Sequence, residues 1–419
     1  MFVNLNKIET YNMAIKKKIL QWNLTLMFLL PLLLCGNLFS QSWNQTSSFP
    51  GTPRDDASYF KLGTKHYIGT GREVGFGCTR DFNAFDENTL TWNASAALPV
   101  GKERQYASSC SWNGKGYLFG GVDCAGIYQN DLWTYDPVTD SWTELNALPS
   151  NGRAGMVQFV LNDTMYCVGG KNASGILNEV WAYHFSNQTW IQKNNLPSDG
   201  IWRGIAFTFQ NKGYIVLGRN NLNNQTGHNT EILSYQSQAD TWTILPNLNL
   251  GQRSYVGHVQ TDSLLFLFGG LTEINQILVS TERVHLNDFT SDILANFPSV
   301  PRKGGITFLV QNDLYYSTGV STDTRFNETW KLSSVASLNE NGISDIQIYP
   351  NPVTSDLYIV SNQIIKKIEI YDAFGRICLN HETEENQIQL NLDHLEKGNY
   401  LIHVISDNQM TIRTLLIKI

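Results

Sequence analysis

Six arginines recur along this 419-residue chain at an almost constant interval. Arg54, Arg104, Arg153, Arg203, Arg253 and Arg302 lie 49 or 50 residues apart. An acidic residue follows each, at Asp81, Asp131, Glu179, Glu231, Glu282 and Glu328. Such alternation allows two chemistries. The guanidinium groups could ring an opening and attract an anion. Alternatively, each could pair with a carboxylate and lock neighbouring units together, which is the better reading for a group present in every unit. Ligand chemistry is better sought among residues that do not repeat. Arg72, Lys171, Asn172, Arg219, Asn220, His228 and Arg325 fall in stretches that differ from unit to unit, and Trp202 stands beside Arg203. Planar polar groups and a flat ring suit a sugar, which offers hydroxyls at its edge and an apolar face.

Motifs for covalent or metal chemistry are missing from the sequence. It has no Gly-x-Ser-x-Gly elbow, His-Glu-x-x-His pair or phosphate loop. Nor does it have Cys-x-x-Cys or a Cys/His set with zinc spacing. Neither a cofactor nor a metal is expected. The net charge of −7 and the lack of a basic stripe argue against nucleic acid as a partner. Low charge (16%), 12% aromatic residues and 33 glycines suit a turn-rich β protein.

The elements that must position these residues repeat with the same period. After each Arg come an apolar strand, a tight turn and a second strand ending in Gly, as in Tyr117-Leu118-Phe119-Gly120-Gly121. The acidic residue opens a third strand, and Trp92, Trp142, Trp190 and Trp242 mark a fourth. Four strands cannot bury both faces alone, so the units must stack. A period near fifty, a Gly-rich second strand and a fixed Trp resemble the kelch repeat over residues 43–334. That resemblance implies an all-β fold, a six-bladed β-propeller. The sixth unit lacks a fourth strand, and the segment from Trp43 to Phe49 is expected to supply it and close the ring.

Strand direction then places the 2–3 loops and the blade-to-blade connections on one face. The 2–3 loops are long and variable, so that face is expected to carry the binding site. The resemblance also admits enzymes. A galactose-oxidase-like copper site needs two Tyr, two His and a crosslinked Cys, and only His228 among the histidines falls in a long loop here. A sialic-acid mutarotase would use six blades, with Arg and carboxylates near the channel.

From Asn341 onward Trp disappears and short Ile-rich strands take over, predicting a small immunoglobulin-like β-sandwich of six or seven strands. Tyr349-Pro350-Asn351-Pro352, Ile370-Tyr371-Asp372 and Gly398-Asn399-Tyr400 resemble the C-terminal sorting domain of the type IX secretion system. The expected organisation is a signal peptide over 1–40, a propeller over 41–335, a linker over 336–342 and a sorting domain over 343–419. The leader is read from Lys16-Lys17-Lys18 before an apolar run, and no transmembrane segment is expected in the mature chain. Export permits disulfides, and Cys78 with Cys124 is a candidate pair; free thiols are the alternative. The expected function is a secreted or cell-surface, noncatalytic module that binds a glycan or protein partner. The alternative is a carbohydrate-active enzyme of the mutarotase type.

Overall fold

The computed structural model describes residues 42–419 apart from 223–224, 246–249, 334, 336–345, 373–375 and 407–410. The expected signal peptide and linker lie outside the described residues. Six four-stranded antiparallel sheets form the first part of the chain. Blade 1 runs Ser58–Leu62, Lys65–Gly69, Phe82–Asp86 and Thr91–Ser95. Blades 2 to 5 repeat this order, opening at Ser108, Val157, Ile205 and Gly257. Blade 6 has Ile306–Val310, Asp313–Ser317 and Thr329–Leu332. Its fourth strand is Trp43–Gln45, in register Trp43↔Leu332 and Gln45↔Trp330. The ring therefore closes with a strand from the other end of the repeat array.

The strand-four tryptophans staple the blades together. Trp142, Trp190 and Trp242 each donate an indole N–H to a carbonyl of the preceding blade, at 2.8–3.1 Å. Trp92 donates to Ser47 O, and Trp43 donates to Ala295 O. Trp43 thus plays the fourth-strand role for blade 6. Blade 5 carries Ile293 at this position and leaves it largely exposed.

Five of the six repeated arginines are buried clamps. Arg54 pairs with Asp81 at 2.8 Å and Arg104 with Asp131 at 2.5 Å. Arg153 meets Glu179 at 2.6 Å, Arg253 meets Glu282 at 2.5 Å, and Arg302 meets Glu328. Trp133, Trp181 and Trp330, two residues beyond the acid, donate their indole N–H to the same carboxylate. The sixth arginine breaks the expectation of six equivalent groups. Gly121 N–H donates to Arg153 O, and Gly270 N–H to Arg302 O, but the matching Gly170 N–H donates to Ile201 O. Ile201 therefore holds the clamp position in blade 4, and Arg203 lies two residues further on. Glu231 has no ion pair among the described residues.

The second-strand glycines answer to a close approach. Gly71 has φ +107°, and a Cβ there would meet Asp55 O at 2.7 Å.

The C-terminal part is one five-stranded antiparallel array around its own core of Leu357, Ile359, Ile368, Ile370, Ile402 and Val404. The two strands expected around Leu357–Val360 and Ile368–Tyr371 are halves of one strand, Asp356–Tyr371. Its register shifts between Val360 and Ile365. The first half pairs with Ile346–Tyr349, and the second half with Gly398–Ser406.

Candidate functional site

Two residues past the clamp position, each blade places one residue at the head of its innermost strand. These are Asp56, Tyr106, Gly155, Arg203, Tyr255 and Gly304. All six have φ between +54° and +65°. Each backbone N–H donates to the carbonyl of the corresponding residue in a neighbouring blade. The bonds run Tyr106 to Asp56, Gly155 to Tyr106, Arg203 to Gly155, Tyr255 to Arg203, Gly304 to Tyr255 and Asp56 to Gly304, at 2.7–3.3 Å. This closed belt satisfies six backbone donors and fixes the mouth of the axial cavity. The cavity has a volume of about 650 Å³ and is lined below the belt by the innermost strands.

The belt side chains are unlike one another, and they converge. Arg203, in blade 4, reaches across the axis to blade 1, where Nη1 lies 3.1 Å from Asp56 Oδ1. On the way its guanidinium passes between the rings of Tyr106 and Tyr255, 3.5 and 3.6 Å from their centroids. Trp202 flanks it at 4.5 Å. Gly155 is needed below that indole, since a Cβ would meet Trp202 Nε1 at 2.4 Å. Burial disfavours the Arg203 charge, but the Asp56 carboxylate and the two phenols hold the cation above the ordinary arginine range. Arg203 Nε and Asp56 Oδ2 are buried with no hydrogen-bond partner among the described residues.

Asp55 stands beside this crossbar. Arg325 Nε donates to its Oδ1 at 2.5 Å, and both side chains are at most 10% exposed. Burial, then the charge and hydrogen bond of Asp56, push the Asp55 carboxyl up to about 8 against the pull of Arg325. Asp55 therefore holds its proton to higher pH than an ordinary carboxyl. Three further cations surround the aromatic rings. Lys171 Nζ lies 5.2 Å from the Trp202 ring, Lys303 Nζ lies 4.9 Å from Tyr255, and the Arg219 guanidinium lies 5.8 Å from Tyr255. None of the three has an ion pair among the described residues. Burial, with Arg203 and Arg219 nearby, pushes Lys303 down despite the opposing pull of Asp56. The cluster thus sets five basic side chains against two acidic ones.

The eight residues expected from the sequence fall into four groups. Trp202, Lys171, Arg219 and Arg325 join the axial cluster. Asn172 and His228 are buried behind it: Asn172 Oδ1 accepts the Ser174 N–H of its own turn, and His228 Nε2 lies 3.5 Å from Ser254 Oγ. Burial first, then Arg219, push the His228 imidazole down from its ordinary range. Asn220 sits opposite Gly227 in the hairpin Arg219–Leu222 with Gln225–His228. Arg72 lies on the rim, 4.4 Å from the Phe76 ring and apart from the axial contacts. Sequence reasoning missed Asp55, Asp56, Tyr106, Arg203, Tyr255 and Lys303. One signal was available: the residue two past each clamp changes from Asp to Tyr, Gly, Arg, Tyr and Gly once Ile201 is aligned with the arginines. Cys78 and Cys124 form a disulfide between the loops of blades 1 and 2.

Comparison with known proteins fits this geometry. Residues 31–200 match the family model of the KLHDC2/KLHL20/DRC7 Kelch-repeats domain, and residues 347–418 match that of the Secretion system C-terminal sorting domain. The chain carries kelch repeats and a sorting tail. The solved structure of YjhT superposes with a TM-score of 0.55, over 68% of this chain and 95% of its own, at 19% identity, which shows likeness of fold. The N-acetylneuraminate epimerase of Shigella sonnei (strain Ss046) is 39% identical over 110 residues. The protein of the same name from Escherichia coli (strain K12) is 38% identical over 110 residues. The match covers 25% of this chain and 29% of either relative. The sorting tail marks the kelch propeller for export to the secreted or cell-surface compartment, and it fits the type IX machinery. No helix among the described residues is long and apolar enough to cross a membrane.

Proposed function

We propose that the propeller binds an acidic sugar at the axial mouth. One observation carries this reading: five basic side chains surround two acidic ones there, in a chain whose net charge is −7. Lys171, Arg219 and Lys303 offer a carboxylate three partners without breaking an ion pair. Trp202 provides a flat face for a pyranose. The relatives named N-acetylneuraminate epimerase suggest a carboxylated sugar of that class. Titration of the full chain with N-acetylneuraminate and with neutral N-acetylmannosamine tests the reading. Binding of the acid at least tenfold tighter, weakened by Arg219→Gln, is expected. Equal affinity for the two sugars rules it out.

A second reading adds catalysis, and the Asp55–Asp56 pair favours it. Anomer exchange needs a group that takes the proton of the anomeric hydroxyl and one that protonates the ring oxygen as the ring C–O bond breaks. Closure onto the other face of the carbonyl reverses both transfers. Asp55, whose carboxyl holds its proton beyond the ordinary carboxyl range, stands next to Asp56, so the pair can supply an acid and a base side by side. Anomer exchange followed by NMR separates a binding module from an enzyme. Acceleration that Asp55→Asn abolishes while binding persists supports the enzyme. Binding without acceleration leaves the module.

A further inference from the structure

Outside the axial cluster, the loop 71–80 of blade 1 holds an exposed aromatic ring beside a cation. The Phe76 side chain is 66% exposed, as is that of Val74. Arg72 lies 4.4 Å from the Phe76 ring centroid. Arg325, the partner of Asp55, lies 5.9 Å from the same ring. The ring therefore adjoins the axial site through a single guanidinium. Arg72 has no ion pair, and its Nε is buried without a hydrogen-bond partner, among the described residues.

The ledge is held firmly despite its exposure. Arg72 pairs in register with Asp55, Glu73 Oε2 accepts Thr52 Oγ1 at 2.9 Å, and Glu73 N–H donates to Gly77 O. Cys78 ties the loop to Cys124 of blade 2, whose own loop presents Ile127 at 61% exposure. A ring kept in water on a braced loop, next to an unpaired guanidinium, suits a pyranose that bears an acidic group. The ring stacks on the apolar face, and the guanidinium takes the acid in bidentate fashion.

We propose that Phe76 and Arg72 form a second subsite, so that the ligand is an acidic oligosaccharide with one residue at the axis and the next on this ledge. This rests on the acidic-sugar reading of the axial mouth. A monomer occupies the axial cations and leaves the ledge empty; a dimer fills both.

The test is calorimetric titration of the full chain with N-acetylneuraminate and with its 2,8-linked dimer, for the wild type, Phe76→Ala and Arg72→Gln. Phe76 is exposed, so its removal leaves folding intact. The dimer should bind at least tenfold tighter than the monomer, about 1.4 kcal/mol. Either substitution should bring the dimer to the monomer's affinity and leave the monomer unchanged. Monomer binding with no gain for the dimer, or a gain that survives both substitutions, overturns the second subsite and leaves the axial reading standing. Absence of binding by both sugars overturns the axial reading and the ledge with it.

Discussion

Arg104 and Arg203 are the same residue type in opposite employment. Arg104 is fully buried, holds Asp131 through two hydrogen bonds and also donates to Gly120 O. Removing it leaves the buried Asp131 carboxylate with only Lys102 and Trp133 as partners, so Arg104→Ala should lower the unfolding free energy by about 3 kcal/mol. Denaturant titration reads the loss directly, and a change under 1 kcal/mol would refute the clamp role. The Arg203 neighbourhood instead writes its signature in pH. Folding holds Asp55 protonated up to about 8, whereas the unfolded carboxyl ionises near 3.8. Its contribution to stability is thus full below the unfolded value and is lost as pH rises through about 8. His66 and His258, both lowered to about 4 by burial, contribute in the opposite sense below pH 6.5. Thermal midpoints at pH 6.5 and 8.5 isolate Asp55. The wild type should fall further across that interval than Asp55→Asn, and an equal fall in both would assign the titration elsewhere. At this scale the clamps were legible in the sequence, because arginine and acid repeat in phase. The crossbar was not, because Arg203 lies 50 residues from its neighbours on either side and hides a two-residue shift that only Ile201 reveals.

Loops and strands show a similar division. The long 2–3 loops could be placed on one face from strand alternation alone, and the hairpin Arg219–Leu222 with Gln225–His228 confirms their structured character. What each loop side chain does could not be read that way, since Asn172 serves its own turn and Lys171 beside it reaches Trp202. In the C-terminal part, two Ile-rich runs looked like separate strands because Asn362-Gln363 interrupts the alternation; a bulge carries one strand through. The disulfide adds an element-level constraint. Cys78 and Cys124 close a segment of 46 residues across two blades. Replacing both with Ser should cost about 2–4 kcal/mol and leave the reduced wild type indistinguishable from the variant. A variant as stable as the oxidised wild type would show that the loops hold their places without the bond.

At the scale of the whole molecule, a propeller without closure would present two unpaired sheet edges. Here the closing strand is only three residues, Trp43–Gln45, paired to a strand nearly the full repeat array away. One side chain anchors it to blade 5. Trp43 is 6% exposed, packs edge-on against Phe268 and Phe297 and donates to Ala295 O. Trp43→Ala should therefore cost about 3–5 kcal/mol by the cavity it leaves. The damage should also be local at first. Amides of Thr329–Leu332 lose their neighbour and should exchange with solvent much faster, while those of Val157–Leu161 in blade 3 keep their protection. Uniform acceleration across all blades would mean that the ring opens only as a unit. Unchanged exchange at Thr329–Leu332 would mean that the blade holds without its borrowed strand, and the axial belt would then owe nothing to closure.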